Sequence, residues 1–579
     1  MCGFHGVLSN NSDTQHKEYQ FNSLRHRGPD DNQKIQVNNL SLNFFRLKIL
    51  GGDLGAQPMY SDSKEWLIVF NGEIYNYKEL AISMDREDLI SHGDTKVLIE
   101  FISKFGIKNF SKINGMFAIA LYNAKTQTLY FIRDRFGIKP LFYQIVNDDI
   151  FFASEIKSLF QKKLSRKEID KYIKTGKYPK TCSTFYENIF EIKPGTITNF
   201  TNDGINENSY YSLKKNIIKR NSNSLDEYEK IIEKAIEIRL RSDVPVSLHF
   251  SGGVDSTALL IKVKEVAGWN YPIGVFNLSY EGFEDLDYSY AKRICDKLKI
   301  ELHNVVLSPE EVPSLASKLQ YFQDEPYGGI PSISMYKLNL TENEMGYVVS
   351  LEGQGGDEAL GGYLSHIVLA IKDMIQKNEG TSLANKLCKS VGLNIEEANL
   401  LAQNFIDNGF NSHTDLTDIR IIDDQKIAKL NDWLTTVQVF DTLENKIPRT
   451  MRFHDRISAA CSRELRFPLL DYNVLEYGIK MDKNLKYKDG IVKYPLKKII
   501  HRYLPQELFS DIKRADSSPQ TKWLQNDLKY WVDQNLSELK QKNIVNIKYI
   551  DSIIKELEVI NMKNSFKVWQ LINLNLINS

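Results

Sequence analysis

The chain has few cysteines, no excess of either charge and no long apolar run, and each of these absences narrows what it can do. Five cysteines, Cys2, Cys182, Cys295, Cys388 and Cys461, are spread over 579 residues without a CxxC pair. An odd, scattered set argues against a disulfide framework and a thiolate zinc site. The 74 basic and 74 acidic residues cancel, leaving no electrostatic footprint for nucleic acid or an anionic membrane. No apolar stretch reaches membrane-spanning length, and the N-terminus lacks a signal-peptide core. The expectation is a reducing, cytoplasmic setting, which suits a free thiol.

At this length one ordinary core does not suffice, so two domains or more are expected. Up to about residue 200 the sequence carries short apolar runs between turn signals: Trp66–Phe70, Met116–Tyr122, Leu129–Ile132 and Asp149–Ala153. These read as strands of a largely antiparallel system with few long helices. Composition turns polar from Lys193 to Asn223, where the domain junction is expected. Beyond Ser224 the pattern alternates: an amphipathic helix over Leu225–Arg241, a buried strand over Val244–Phe250 and a helix from about Ser256. Strand Ile273–Leu278, helix Tyr288–Leu298 and strand Tyr347–Leu351 follow. Such alternation predicts a doubly wound parallel sheet with sites at the carboxyl ends of its strands. Residues 371–443 and the last hundred read as helical without a chemical signature. No fixed-period repeat is present.

Two local features carry chemistry. Loss of Met1 would leave Cys2 as the first residue, joining a thiol to an α-amine that titrates near pKa ~8, as in N-terminal-nucleophile hydrolases. Taken alone, Cys2 reads equally well as a small residue after the initiator. The string Ser251-Gly-Gly-Val-Asp-Ser256 lies directly between a strand and a helix. Paired glycines there let backbone N–H groups converge on an anion at a helix N-terminus, and Asp255 can hold a divalent cation. No G-x-x-x-x-G-K-[ST] occurs, which excludes a P-loop.

SGGVDS resembles the pyrophosphate loop of the ATP-pyrophosphatases. With Cys2, the chain resembles the glutamine-hydrolysing asparagine synthetase family over nearly its whole length. The N-terminal marks are Arg25–Asp30, Gly55–Pro58, Asn71-Gly-Glu-Ile-Tyr-Asn76, Gly115–Ala118, Arg133–Gly137 and Ala153–Lys157. The resemblance implies an α+β N-terminal-nucleophile glutaminase domain with αββα layers over 2–205. It implies an α/β ATP-pyrophosphatase domain with a helical C-terminal part over 224–579.

It also implies roles. Cys2 attacks the glutamine amide, with Asn71 and Gly72 as the oxyanion hole. Arg46 grips the glutamine carboxylate, and Glu73 and Asp94 receive its α-amine. Leu248, Ser251, Gly252, Gly253, Asp255, Ser256, Leu278, Gly353 and Asp357 bind ATP, with Asp255 and Asp357 on Mg2+. Lys493 neutralises departing pyrophosphate. Ammonia crosses an internal passage near Met116, Arg133–Gly137 and Ala153–Lys157. Partners are glutamine, ATP and a carboxylate acceptor, with a homodimer as a frequent family assembly.

Two departures bear on the acceptor. Glu352-Gly-Gln354-Gly-Gly-Asp-Glu358 puts Gln354 where family members carry a glutamate base, and an amide cannot take that role; Glu352 or Glu358 is the expected substitute. In Asp324-Glu-Pro-Tyr-Gly-Gly-Ile-Pro-Ser332 the family's aspartate-clamping arginine aligns with Ile330. That variant resembles amidotransferases of bacterial surface polysaccharides, which implies a uronic-acid acceptor, unless Arg449 or Arg452 rebuilds an aspartate pocket. A catalytically silent regulatory relative is the third reading, and Cys2, Asn71-Gly72, SGGVDS and Lys493 argue against it.

Overall fold

A computed structural model describes residues 1–9, 23–160, 162–180, 182–201, 204–218, 224–283, 286–377, 381–410, 428–508, 518–542, 544–556 and 562–577. Among the described residues, twelve strands precede residue 210: β1 Gly3–Leu8, β2 Asp31–Val37, β3 Leu40–Arg46, β4 Met59–Tyr60, β5 Trp66–Ile74 and β6 Gly115–Asn123. Then come β7 Thr128–Arg133, β8 Phe142–Val146, β9 Asp149–Ala153, β10 Ile189–Glu191, β11 Thr196–Thr201 and β12 Gly204–Ser209. They form two six-stranded sheets, ordered β10-β8-β9-β1-β3-β2 and β12-β11-β7-β6-β5-β4.

Period-2 alternation stacks the layers. Leu67, Val69, Ala118 and Ala120 face Phe4, Leu42, Phe44 and Phe152 of the other sheet. Ile68, Phe70, Phe117 and Ile119 face outward onto helices Tyr77–Ser83 and Asp94–Phe105. Being covered on both faces, β5 and β6 read as continuous apolar runs. The polar stretch after Lys193 holds the hairpin β11–β12, and β12 is exposed along its length. The expected boundary at 205 therefore falls inside a hairpin.

The second unit has five parallel strands: β13 Val246–His249, β14 Gly274–Tyr280, β15 His303–Leu307, β16 Val349–Leu351 and β17 Glu464–Arg466. Their order is β15-β14-β13-β16-β17. Pro245 has no N–H to give the ladder, so β13 starts at Val246 rather than Val244. Strand order reverses between β13 and β16, and at such a switch point loops diverge and open a crevice at the carboxyl ends. SGGVDS follows β13 and Glu352–Glu358 follows β16.

Within residues 371–443, helices Thr381–Ser390, Ile395–Asp407 and Trp433–Leu443 pack with Leu364–Gln376 into a separate core around Val368, Leu387, Ala398 and Leu434. The remainder of that segment, 411–427, lies outside the described residues. The two units share apolar cores. Leu47, Ile49, Tyr75, Met116, Phe136 and Ile138 join the core of the parallel sheet. Ile169, Tyr172 and Phe185 pack with Trp523 and Trp569 from the C-terminal helices.

Candidate active sites

Cys2 immediately precedes β1, half-buried, its Sγ 3.8 Å from the Leu47 carbonyl. Arg27 Nε donates to the Cys2 carbonyl at 3.0 Å and fixes the backbone there. Met1 is buried beside Lys139, its nitrogen 3.4 Å from the Arg463 carbonyl. Burial lowers the Met1 amine to about 5 and raises the Cys2 thiol to about 11. With Met1 attached, the α-amine belongs to Met1 rather than to the residue that carries the thiol. Excision supplies the free amine, so an intact-mass measurement on active protein is expected to show the chain beginning at Cys2.

Asn71, Gly72 and Glu73 are consecutive on β5. Both side-chain polar atoms of Asn71 are buried without a partner, as is Nη1 of Arg46. A buried polar atom left unpaired costs about 1–3 kcal/mol, so this cluster is built to be completed by a polar ligand. Gly72 has φ 139°, and a Cβ on it would overlap the Met116 carbonyl oxygen. Gly72→Ala is therefore expected to destabilise by more than ~1 kcal/mol and to displace Asn71; unchanged thermal unfolding together with unchanged glutamine hydrolysis would count against this.

Glu73 and Asp94 are both buried. Asp94 Oδ2 accepts the Ile74 N–H at 2.9 Å. Burial, aided by Glu464, raises Asp94 to about 6, and burial, Glu464 and Asp94 raise Glu73. Arg466, whose Nη2 is 3.5 Å from Glu73, partly offsets this negative charge. The excess suits an incoming ammonium group. Glu464 and Arg46 also act on the Cys2 thiol, so Cys2, Arg46, Glu73, Asp94, Glu464 and Arg466 share one electrostatic neighbourhood. Glu464 and Arg466 come from β17, and sequence reasoning missed both.

At the switch point, Gly252 has φ 72° and packs against Ala291, where a Cβ would come within 2.8 Å of the Ala291 nitrogen. Ser251 Oγ accepts the Gly253 N–H at 3.3 Å and lies 3.2 Å from Ser256 Oγ. Gly253 caps helix Val254–Ala267, whose N-terminus opens onto a cavity of about 1340 Å³. Ser251–Ser256, Leu278, Gly353, Gln354, Asp357, Glu358 and Lys493 line it. Leu248 does not: its side chain is buried in the sheet core, since alternation turns it away while His249 lines the cavity.

Lys493 Nζ is 2.6 Å from Asp255 and 2.6 Å from Asp357. Burial disfavours the ammonium, but Asp255 and Asp357 outweigh it and keep it protonated. The two carboxylates thus converge on one point, and such a hard oxygen pair suits Mg2+. Burial and then Asp357 raise Glu358 to about 7, and it accepts the Tyr363 hydroxyl at 2.8 Å.

Another part of the cavity lining contains Tyr178, Gly328, Gly329, Pro331, Ser332, Arg449, Phe453 and Trp569. Ile330 is fully buried in the neighbouring core, its N–H donating to Gln520 at 3.1 Å, so position 330 does not face the cavity. Arg452 pairs with Glu325 at 3.3 Å, and Arg449 is the arginine that lines the cavity. Asp324 and Glu325 face the first unit: Lys157 Nζ is 3.2 Å from Asp324, and the Phe185 N–H donates to Glu325.

Among the histidines, His249 bridges Glu342 and Glu352, both at 2.7 Å. Burial favours a neutral ring, but Glu342 and Glu352 overcome it and raise His249 to about 9. This contribution to stability is fully present below the unfolded value of 6.5 and is lost as pH rises through about 9. Denaturant midpoints are expected to fall across that window in the wild type, and His249→Gln is expected to flatten the fall. An equal fall in both proteins would contradict the assignment.

The near-terminal Cys2 thiol, the unpaired polar atoms of Asn71 and Arg46, and the glycine-rich turn at the switch point of the second unit invite comparison with known proteins. Residues 1–211 match the model of a glutamine amidotransferase domain. Residues 227–578 match that of asparagine synthase, and the chain belongs to this family as a glutamine-hydrolysing amidotransferase of the asparagine synthetase type. Asparagine synthetase [glutamine-hydrolyzing] 1 of Bacillus subtilis is 28% identical across 99% of this chain and 95% of its own. A putative asparagine synthetase of Methanocaldococcus jannaschii is 30% identical, across 65% of this chain and 78% of its own. Asparagine synthetase [glutamine-hydrolyzing] 2 of B. subtilis is 28% identical, across 86% and 70%. Among the described residues, no helix is long and apolar enough to cross a membrane.

Proposed function

We propose that residues 2–205 hydrolyse glutamine at Cys2 and that residues 224–579 use the ammonia to amidate a carboxylate activated by ATP. Cys2 Sγ attacks the side-chain carbonyl carbon while Asn71 and the Gly72 N–H hold the developing oxyanion. Arg46 binds the substrate carboxylate, and Glu73 and Asp94 take its ammonium. The C–N bond breaks, ammonia leaves, and water converts the thioester to glutamate.

In the second unit, an acceptor carboxylate oxygen attacks the α-phosphorus of ATP and pyrophosphate departs. Ammonia then displaces AMP from the acyl-adenylate. Ser251, Gly252, Gly253 and Ser256 supply donors for the phosphates, and Lys493 carries positive charge to the leaving pyrophosphate. Asp255 and Asp357 would hold Mg2+, which supplies charge neutralisation of the phosphates when bound.

The observation that carries this reading is the placement of unpaired amide-binding groups and a nucleotide-sized cavity at opposite sides of one domain interface. The acceptor is aspartate in the family's reaction, with Arg449 as its carboxylate clamp. A second reading, a uronic acid on a nucleotide sugar, is favoured by the aromatic side chains of the cavity wall. Its walls carry Tyr178, Phe453 and Trp569, able to stack on a sugar or base. The test supplies glutamine, Mg-ATP and either L-aspartate or UDP-glucuronate and follows pyrophosphate and amide. Aspartate turnover supports the first acceptor and uronate turnover the second. Glutamine hydrolysis without pyrophosphate from either would sink the synthetase reading.

A further inference from the structure

The family resemblance puts Gln354 where a glutamate base is expected, and Glu352, one of the two expected substitutes, is not free to serve. One Glu352 oxygen is 2.7 Å from His249 Nδ1, the other 2.9 Å from His454 Nδ1, and its N–H donates to the Arg466 carbonyl at 3.0 Å. Burial opposes its ionisation, but the hydrogen bonds from His249 and His454, together with the cationic His249, hold the carboxyl well below the usual range. An acid so stabilised as its anion is a poor proton acceptor and a good hydrogen-bond acceptor.

That fixes His454. An ionised carboxylate only accepts, so Nδ1 of His454 carries the proton, and in the neutral ring Nε2 keeps a lone pair. Among the described residues no hydrogen-bond partner is recorded for Nε2, and His454 lines the cavity together with Gln354, Arg449 and Lys493. A carboxylate that holds one ring nitrogen and so sets the tautomer of the other is the arrangement of a general base.

Its place on the wall fits the same task. The next residue, Asp455, accepts from Arg27 Nη2 at 2.8 Å, and Arg27 Nε donates to the Cys2 carbonyl. Helix Lys446–Ala460 therefore turns Asp455 toward the glutaminase nucleophile, while His454 faces the acceptor cavity. His454 stands on the side of the cavity that backs onto the source of ammonia.

We infer that His454, oriented by Glu352, is the catalytic proton acceptor of the amide-forming step, standing in for the carboxylate lost at Gln354. Ammonia attacks the acyl-adenylate carbon to give a tetrahedral adduct bearing N–H3+. His454 Nε2 takes one of those protons, the C–O bond to AMP breaks, and the products are the amide, AMP and an imidazolium that returns its proton to water. Glu352 is a positioning residue. His249 stays cationic between Glu342 and Glu352, Arg463 meets the same Glu342 oxygen as His249, and Arg449, Lys493, Asp357 and Glu358 are the other charged groups lining the cavity with Glu352 and His454.

The inference rests on the acyl-adenylate reading above, and the experiment separates the two. Wild type, His454→Gln and His454→Ala are given ATP, ammonium chloride and whichever of L-aspartate or UDP-glucuronate supports pyrophosphate exchange in the wild type. Exchange is expected to persist within about threefold in the variants, while amide formation at neutral pH falls by about 10²-fold or more. Added imidazole is expected to restore part of the amide rate to His454→Ala, which a merely structural role would not allow. Glu352→Gln is expected to keep exchange and lose amide formation, with the rate displaced along the pH axis. Amide formation in His454→Gln within about threefold of wild type, with exchange intact, overturns the role of His454. Loss of exchange in His454→Gln also overturns it, placing the residue in activation instead. Absence of exchange in the wild type with both acceptors overturns the adenylate reading itself, and the base with it.

Discussion

Cys2→Ala is expected to abolish glutamine-dependent amide formation, by at least ~10³-fold, while ammonium chloride still supports the reaction near the wild-type rate. The variant removes the proposed nucleophile and leaves the cavity around Lys493 untouched. Glutamine should still bind, because Arg46, Glu73 and Asp94 remain, so titration with glutamine is expected to give saturable binding without glutamate release. Equal loss with glutamine and with ammonia would mean that Cys2 supports the fold rather than the chemistry. Cys2→Ser separates the roles further. It keeps the shape and the free amine after Met1 excision but offers a far weaker nucleophile, so it should fall nearly as far.

The second large effect concerns the join between the units. Arg27 is fully buried and donates at once to the Cys2 carbonyl, to Glu155 at 2.6 Å and to Asp455 at 2.8 Å. Glu155 also meets His26 and Lys157, and Lys139 lies 3.4 Å from Asp455. Burial opposes ionisation of Glu155, but His26, Lys157 and Arg27 together keep it ionised. Arg27→Met would strand Glu155 and Asp455 with too little positive charge. Breaking a buried pair in this way costs about 3–5 kcal/mol, because the partners left behind have lost their water as well.

Denaturant unfolding should show that loss, together with slower glutamine hydrolysis as the Cys2 carbonyl loses its donor. Arg27→Met/Asp455→Asn should recover part of the stability, since one stranded charge is gone, and the coupling is read from the double-mutant cycle. A loss below ~1 kcal/mol in Arg27→Met would show that the shared apolar cores alone hold the units together.

Much of the site was legible in the sequence because its chemistry is local. SGGVDS needs only the strand before it and the helix after it to become an anion-binding turn, and both are written in the adjacent residues. Asn71-Gly-Glu on β5 is legible for the same reason. Gly72 tolerates a φ that other residues resist, and its neighbours on the strand carry the polar groups. The segment 371–443 declared helices but not their use, since an amphipathic pattern does not name the surface it covers; its helices pack with Leu364–Gln376, whose Leu364 and Ile367 reach the cavity wall.

Other features required the folded chain. Leu248 and Ile330 were expected near ligands by position, yet both turn into cores, and a one-residue difference in facing decides between wall and interior. Charge sign alone could not pair Arg27 with Asp455 or His454 with Glu352, because each pair is more than a hundred residues apart in sequence. Nor could it show that Arg466 and Glu464 of β17 complete the charge balance around Glu73.

By itself, then, the sequence determined the two proposed chemistries, ammonia release at a thiol and phosphate binding at a glycine-rich turn, because short-range backbone conformation is enough to specify each. Only the tertiary structure decided how they are joined. It pairs charges that have left water, selects which face of each strand meets the cavity, and turns His454 and Asp455 of one helix toward different sites. Those choices depend on burial and distance between remote segments, which no local pattern encodes.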